Sequence, residues 1–299
     1  MPEWSKQLIA FRPIEYSNEL KQHVKRLKKN VQADVQIDDC ILPSSKQRYD
    51  RRKHLCKLID CVAQTYIGRY VLQEMSSDVK IVSLDIKDVP DIWGIYVEQE
   101  QIINILPKAL CCPEHIQLNA LVHEGMHVMH QQMEKDIQNT LLLQNYSNLN
   151  IYDQFVLRFL SETACWINGQ LAGLCMIPDP NKKVVDIRSL FYDKQYWSMY
   201  YEHALSVVQN AENPKACLEV KHTPMYYAIV QSYFKLHPEL RDARLMRRIH
   251  KGWQIFAKSL REELEQSEPQ KIASQSVYSN FGSKISSLVE QAINIKTQY

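Results

Sequence analysis

Two histidines four residues apart, with a glutamate directly after the first, form the segment His123-Glu124-Gly125-Met126-His127. Positions i and i+4 of a helix lie on one face, so both imidazoles can reach one ion. Neutral imidazole suits zinc, with bonds of about 2.0 to 2.1 Å. Glu124 then points beside the ion. There its carboxylate can take a proton from a water that the metal has acidified and return it to a leaving amine. This is the chemistry of a zinc hydrolase, with His123 and His127 as metal ligands, Zn2+ as the cofactor and Glu124 as the general base.

A catalytic zinc has three protein ligands and an open fourth position. The third ligand expected is Glu162, in FLSETACWINGQLAG (159–173). It lies far enough along for the chain to turn and return as an antiparallel helix. The alanine, cysteine and glycine soon after it are small enough for close packing against the metal helix. His130 competes for the place, on the same face as His123 and His127. However, the first and third sites on three consecutive turns lie about 10 Å apart, too far to wrap one ion. His130 is therefore read either as a supporting or substrate-facing group or as an inert histidine, with Glu134 continuing its face. A developing oxyanion needs a donor. YYEH (200–203) and KHTPMYY (221–227) offer Tyr201, His203, His222, Tyr226 and Tyr227. His222, just before an expected helix start, is taken as the catalytic candidate, and Glu202 is a fallback metal ligand.

Several elements must position these groups. Helical spacing runs through about 17–30 and again from PSSKQRYD (43–50) through Leu55, Leu58, Ile59, Val62, Ala63 and Ile67. VKIVSLDI (79–86) reads as a strand, and IWGIYVEQEQIINILP (92–107) as a hairpin turning at EQEQ. The metal helix is expected from Pro113 to about Lys135, with an apolar stripe of Leu118, Val122, Met126, Met129 and Met133. Further helices are expected at about 152–175, 195–211, 224–236 and 241–265. Thr223 and Pro224 open the 224–236 helix as cap and first residue. Beyond Gln266 the chain turns polar and serine-rich, with a short amphipathic stretch at 284–295. The fold class is α+β, mainly helical, with a small sheet preceding the HExxH helix. The organisation expected is an N-terminal helical region (1–74), a metallopeptidase core (75–180), a C-terminal helical region completing the cleft (181–265) and a polar tail (266–299).

Composition fits a globular chain of 299 residues, 45% apolar and 23% charged. No apolar run reaches the roughly 20 residues of a membrane span. The N-terminus lacks the apolar segment of a signal peptide. A net charge of +2 writes no polyanion partner into the molecule, so no nucleic acid is expected. The basic stretches at 21–29 and 46–57 read as solvated helix faces. The 8 cysteines form no CxxC pair, so reduced, mostly buried thiols are expected.

On His123, Glu124, His127 and Glu162 the chain resembles a zincin metallopeptidase of the gluzincin-like kind. More narrowly, residues 75–180 resemble bacterial metallopeptidase domains with a strand pair, an HExxH helix and a downstream helix bearing a glutamate. The resemblance implies a zincin-like fold and Glu-assisted attack of water on a peptide carbonyl. It also implies zinc bound by His123, His127 and Glu162. The best-known gluzincins carry that glutamate in an NExxSD-like context, where this chain has SETACW. The long variant with a third histidine and a glycine after the motif is absent.

An endopeptidase acting on a protein or peptide is thus the leading expectation. Alternatives are an aminopeptidase or amidase using the same ion, or a non-catalytic helical interaction protein retaining a metal site. A lysine- and glutamine-rich, glycine-poor composition fits a bacterial protein working in a cytoplasm. One such class is the effector delivered into a host cytosol, with a host protein as its substrate. REELEQSE (261–268) resembles signals on some such effectors.

Overall fold

The computed structural model describes residues 16–33, 35–36, 49–86, 92–140, 150–175, 201, 204–211, 213–220 and 222–266. Local side-chain chemistry sets where its first helices start and stop. Helix α1 (Asn18–Lys29) begins where Ser17 accepts the Leu20 N–H, and it buries Leu20, Val24 and Leu27. Its basic residues Lys21, Lys25, Arg26 and Lys29 are exposed, and those in the last turn suit the helix dipole. Helix α2 (Arg51–Gln64) is capped by Asp50. The apolar run that reads as one helix through Ile67 is in fact broken. Thr65 is extended, caps a new helix α3 (Tyr66–Glu74), and accepts the Gly68 N–H at 2.9 Å. A Cβ on Gly68 would collide with the Val62 carbonyl, so the corner requires glycine.

Four strands form a mixed sheet in the order β1 (Val31–Ala33), β4 (Lys80–Ser83), β6 (Ile102–Ile105), β5 (Gly94–Val97). β1 pairs with β4 and β4 with β6 in parallel, whereas β5 runs antiparallel to β6. β2 (Val35–Gln36) and β3 (Tyr49–Asp50) make a separate antiparallel pair. All four residues of β6 are buried, including Asn104, whose side chain holds the end of β4 through the Leu84 N–H and carbonyl. β5 is an edge, and only Gly94 of it is buried. The hairpin turns at Glu98–Glu100 and Gln101, which adopts the left-handed conformation at φ 54°. The strand at 79–86 and the hairpin occur where expected. β1 was not foreseen.

A short helix α4 (Pro107–Leu110) leads into α5 (Glu114–Thr140), the expected metal helix, which runs a turn further than the sequence suggested. Gln117 ties its start down, donating to the Leu110 and Cys112 carbonyls and meeting His54 Nε2 at 2.6 Å. α6 (Ile151–Leu174) follows. Then come α7 (Pro214–Cys217), α8 (Pro224–Leu236) and α9 (Ala243–Gln266). α8 starts as expected, with Thr223 as its cap and Pro224 in the first turn.

The described residues are therefore mainly helical, with a small mixed sheet and a separate two-stranded pair, an α+β fold. Its described residues fall into two compact units. The first holds 16–132 and 165–175, and the second holds 133–164 and 201–266. Among the described residues no helix is long and apolar enough to cross a membrane, and none of the described cysteines forms a disulfide. The segments 43–48, 87–91, most of 176–203 and the tail beyond 266 lie outside the described residues.

Candidate metal centre

The first unit contains the HExxH segment in the middle of α5. Between Gln117 and Gln131 every residue of α5 is buried except Asn119, His123 and His127. These three are half-buried and spaced by four, so they form one ridge open on an otherwise enclosed helix. Leu118, Val122, Met126 and Met129 of the expected apolar stripe pack in the core beside it, whereas Met133 is half-buried. Gly125, inside the motif, allows the helix to sit close on α3. A Cβ there would come within 2.6 Å of Val71 Cγ1 and 3.0 Å of Met75 Sδ.

The two rings face each other through the same atom type. His123 Nε2 and His127 Nε2 are 3.3 Å apart, with the rings edge to face. Two nitrogens at zinc bond length and at a tetrahedral angle from one ion would be about 3.3 to 3.4 Å apart. The separation also suits one imidazole N–H donating to the other ring. The donor set and spacing therefore fit a zinc ion without moving either histidine far.

Glu124 is buried, on the side of α5 nearest the sheet edge. A Cβ placed on Gly94 would lie 2.9 Å from Glu124 Cγ and 3.1 Å from Oε1. The missing side chain at Gly94 thus makes room for the carboxylate against β5. One turn beyond His127, the Gln131 amide fastens the helix to the hairpin. It accepts from Tyr96 Oη and Gln101 Nε2, both at 2.6 Å, and donates to Glu98 Oε1 at 2.8 Å. Burial, and then the Glu98 charge, push the Tyr96 phenol up to about 12, so it stays a hydrogen-bond donor at neutral pH.

α6 returns antiparallel along the first half of α5 at very close range. A Cβ on Gly169 would strike Asn119, and one on Gly173 would strike the His115 carbonyl. Four residues down one helix match four residues up the other. The next step of this register brings Cys165 to the histidines. Its sulfur is 3.6 Å from His127 Nδ1 and 3.6 Å from His130 Nδ1. Among the described residues His123, His127 and Cys165 each offer a ligand atom, all within 4.8 Å of one another. On the sequence alone this cysteine counted only as a small packing residue. The spacing of Gly169 and Gly173 by four was the signal that could have found it.

Glu162 stands one turn before Cys165. It is half-buried on a ridge with Trp166 and Gln170, which are likewise spaced by four. Trp166 meets the His123 ring edge-on, with centroids 6.4 Å apart. His130, buried, contacts Cys165 rather than joining the pair of facing nitrogens.

The remaining candidates belong to the second unit or lie outside the described residues. Glu134 accepts a hydrogen bond from Tyr233 Oη at 2.8 Å. His222 is exposed and stacks on Tyr226 at 4.5 Å, which in turn stacks on Tyr152. Tyr201 donates to Glu263, and burial with that carboxylate raises its pKa. Tyr227 is exposed. Glu202 and His203 lie outside the described residues.

No family model matches the chain, and neither a curated protein nor a solved structure matches it.

Proposed function

We propose that this chain is a zinc-dependent hydrolase, of the gluzincin-like metallopeptidase kind, that cuts peptide bonds within a protein. The observation that carries the reading is the 3.3 Å separation of His123 Nε2 and His127 Nε2. The buried Glu124 carboxylate set against Gly94 supports it. Zinc held there supplies a Lewis acid and lowers the pKa of a water. His123 and His127 would hold it through Nε2, and Glu162→Ala tests the third ligand that the resemblance implies. Glu162 shares its ridge of α6 with Trp166, the residue that touches His123.

The chain's own residues do the rest. Glu124 accepts the proton of the attacking water on a carboxylate oxygen and hands it to the amine that leaves. β5 is the edge strand beside Glu124, with an outer row of N–H and C=O groups to which an extended peptide can pair. A peptide bound in that way runs past the site in both directions. This favours an endopeptidase over an aminopeptidase or amidase.

The test is metal content and hydrolysis of an unstructured protein substrate by wild type and single variants. About one zinc per chain is expected in wild type and in His130→Ala, with weakened binding in Glu162→Ala. Glu124→Gln should keep its zinc and lose about 10²- to 10⁴-fold in kcat/KM. A wild type that takes up no zinc defeats the reading. Zinc binding with no hydrolysis of any substrate leaves a non-catalytic metal protein.

A further inference from the structure

Cys165 is fully buried, and its sulfur lies between two imidazoles. The atoms that meet it are informative. His127 presents Nε2 to His123 and Nδ1 to Cys165, so the sulfur sits at the ring nitrogen that does not face the other half of the chelating pair. A histidine that gives its Nε2 lone pair to a cation carries its proton on Nδ1. That proton then points at the sulfur. A thiol accepts weakly and donates one proton. Cys165 can therefore accept from His127 Nδ1–H and donate its S–H to His130 Nδ1, leaving the His130 proton on Nε2. Each of the two protons that meet the sulfur thus has an acceptor, and no member needs a charge.

We propose that Cys165 is a positioning residue for the metal centre, a neutral thiol relay between His127 and His130 that fixes the tautomer and the orientation of His127. The proposal rests on the metal-binding reading of His123 and His127 and goes beyond it. Metal-bound histidines usually give their outer N–H to a carboxylate, a carbonyl or a water, and losing that partner weakens binding by about 10- to 100-fold. A thiol in that place holds the ring without adding negative charge to the site. His130 meets the same sulfur through Nδ1 at 3.6 Å and accepts its S–H. This gives a use to the buried third histidine, one turn past the motif, that is too far along the helix to share the ion.

The experiment uses the full chain loaded with cobalt(II) or zinc, as wild type, Cys165→Ser and Cys165→Ala, with His123→Ala as the control for the metal site. Serine keeps one donor and one acceptor, and alanine keeps neither. Wild type with cobalt should show ligand-field bands and no thiolate-to-cobalt charge-transfer band. Cys165→Ser should bind zinc within about threefold of wild type, and Cys165→Ala about 10- to 100-fold more weakly. A charge-transfer band in wild type that is lost in Cys165→Ser would make the sulfur a ligand and overturn the relay. Equal zinc affinity in all three would reduce Cys165 to packing and overturn it as well. Should the alanine variant fail to fold, the wild-type spectrum and the serine variant decide. If wild type takes up neither metal, the metal reading fails and the relay with it. That result is distinct from metal uptake that depends on His123 and is indifferent to Cys165.

Discussion

The two halves of α6 pack by opposite means. From Ile151 to Ala164, within the second unit, the helix spends large rings. Phe155 stacks on Phe159 and meets Trp253 and Phe256, and Tyr152 lies against Trp253 and Tyr226. From Cys165 onward, within the first unit, the helix uses glycines, and backbone approaches backbone at Asn119 and His115. Rings bury the most apolar area per residue and tolerate small adjustments of neighbouring helices. Glycines bury little and leave no slack, so they set the distance and register of two helices. The second arrangement is the one found where a sulfur must sit between two histidines.

Three substitutions would break or sharpen this contrast. The largest effect is expected from Trp253→Ala. Removing this buried indole from among Tyr152, Phe155 and Phe256 should cost about 3 to 5 kcal/mol in a denaturant melt. The zinc affinity of the protein that remains folded should stay near wild type. A parallel collapse of zinc affinity would show that the ring-packed half sets the site after all. Gly169→Ala should do the reverse. Its Cβ would strike Asn119, for a cost of about 1 to 3 kcal/mol from overpacking. By shifting the register at Cys165 it should also weaken zinc binding, as read by competition with a chelator. Unchanged affinity there would mean that the helix spacing does not position the histidines.

The smallest effect concerns pH. Asp153 is buried beneath Thr223, whose hydroxyl donates to Oδ2 at 2.8 Å. Burial pushes its carboxyl up to about 6, against the lowering effects of the Thr223 hydrogen bond and of His222. The folded state therefore holds this proton more tightly than the unfolded chain does. The resulting stabilisation is complete below the ordinary carboxylate range near pH 4 and is lost as pH rises through 6. Asp153→Asn keeps an acceptor for Thr223 and lacks the titration. The melting temperature of wild type relative to the variant should rise as pH falls from 7 to 5. A constant difference across that range would refute the shift.

Much of the frame was legible in the residues. Of the α5 stripe, Leu118, Val122, Met126 and Met129 are buried as the helical period requires, and Met133, toward its end, is half-buried. The hairpin was readable because the apolar runs IYV and IINIL flank a polar EQEQ turn, and α8 because Thr223 and Pro224 are strong local start signals. Other features depended on partners distant in sequence. β1 is three residues long and exists through its parallel pairing with β4, so no alternation announces it. The break at Thr65 came from a side-chain cap that outcompeted a continuous apolar pattern. His222 does stand just before the start of α8, and what no local pattern announced is its stacking on Tyr226.

What the sequence by itself determined is the chemistry available on one helix. His123 and His127 share a face because the α-helix repeats every 3.6 residues, and Glu124 follows from the same geometry. What only the tertiary structure decided is which groups complete and support that face. Gly94 makes room for Glu124, Gln131 ties the helix to the hairpin, and Gly169 and Gly173 set the approach that brings Cys165 to His127 and His130. The physical reason is that local periodicity propagates along one element. The spacing between elements depends instead on which residues far apart in the chain lack the atoms that would keep them apart.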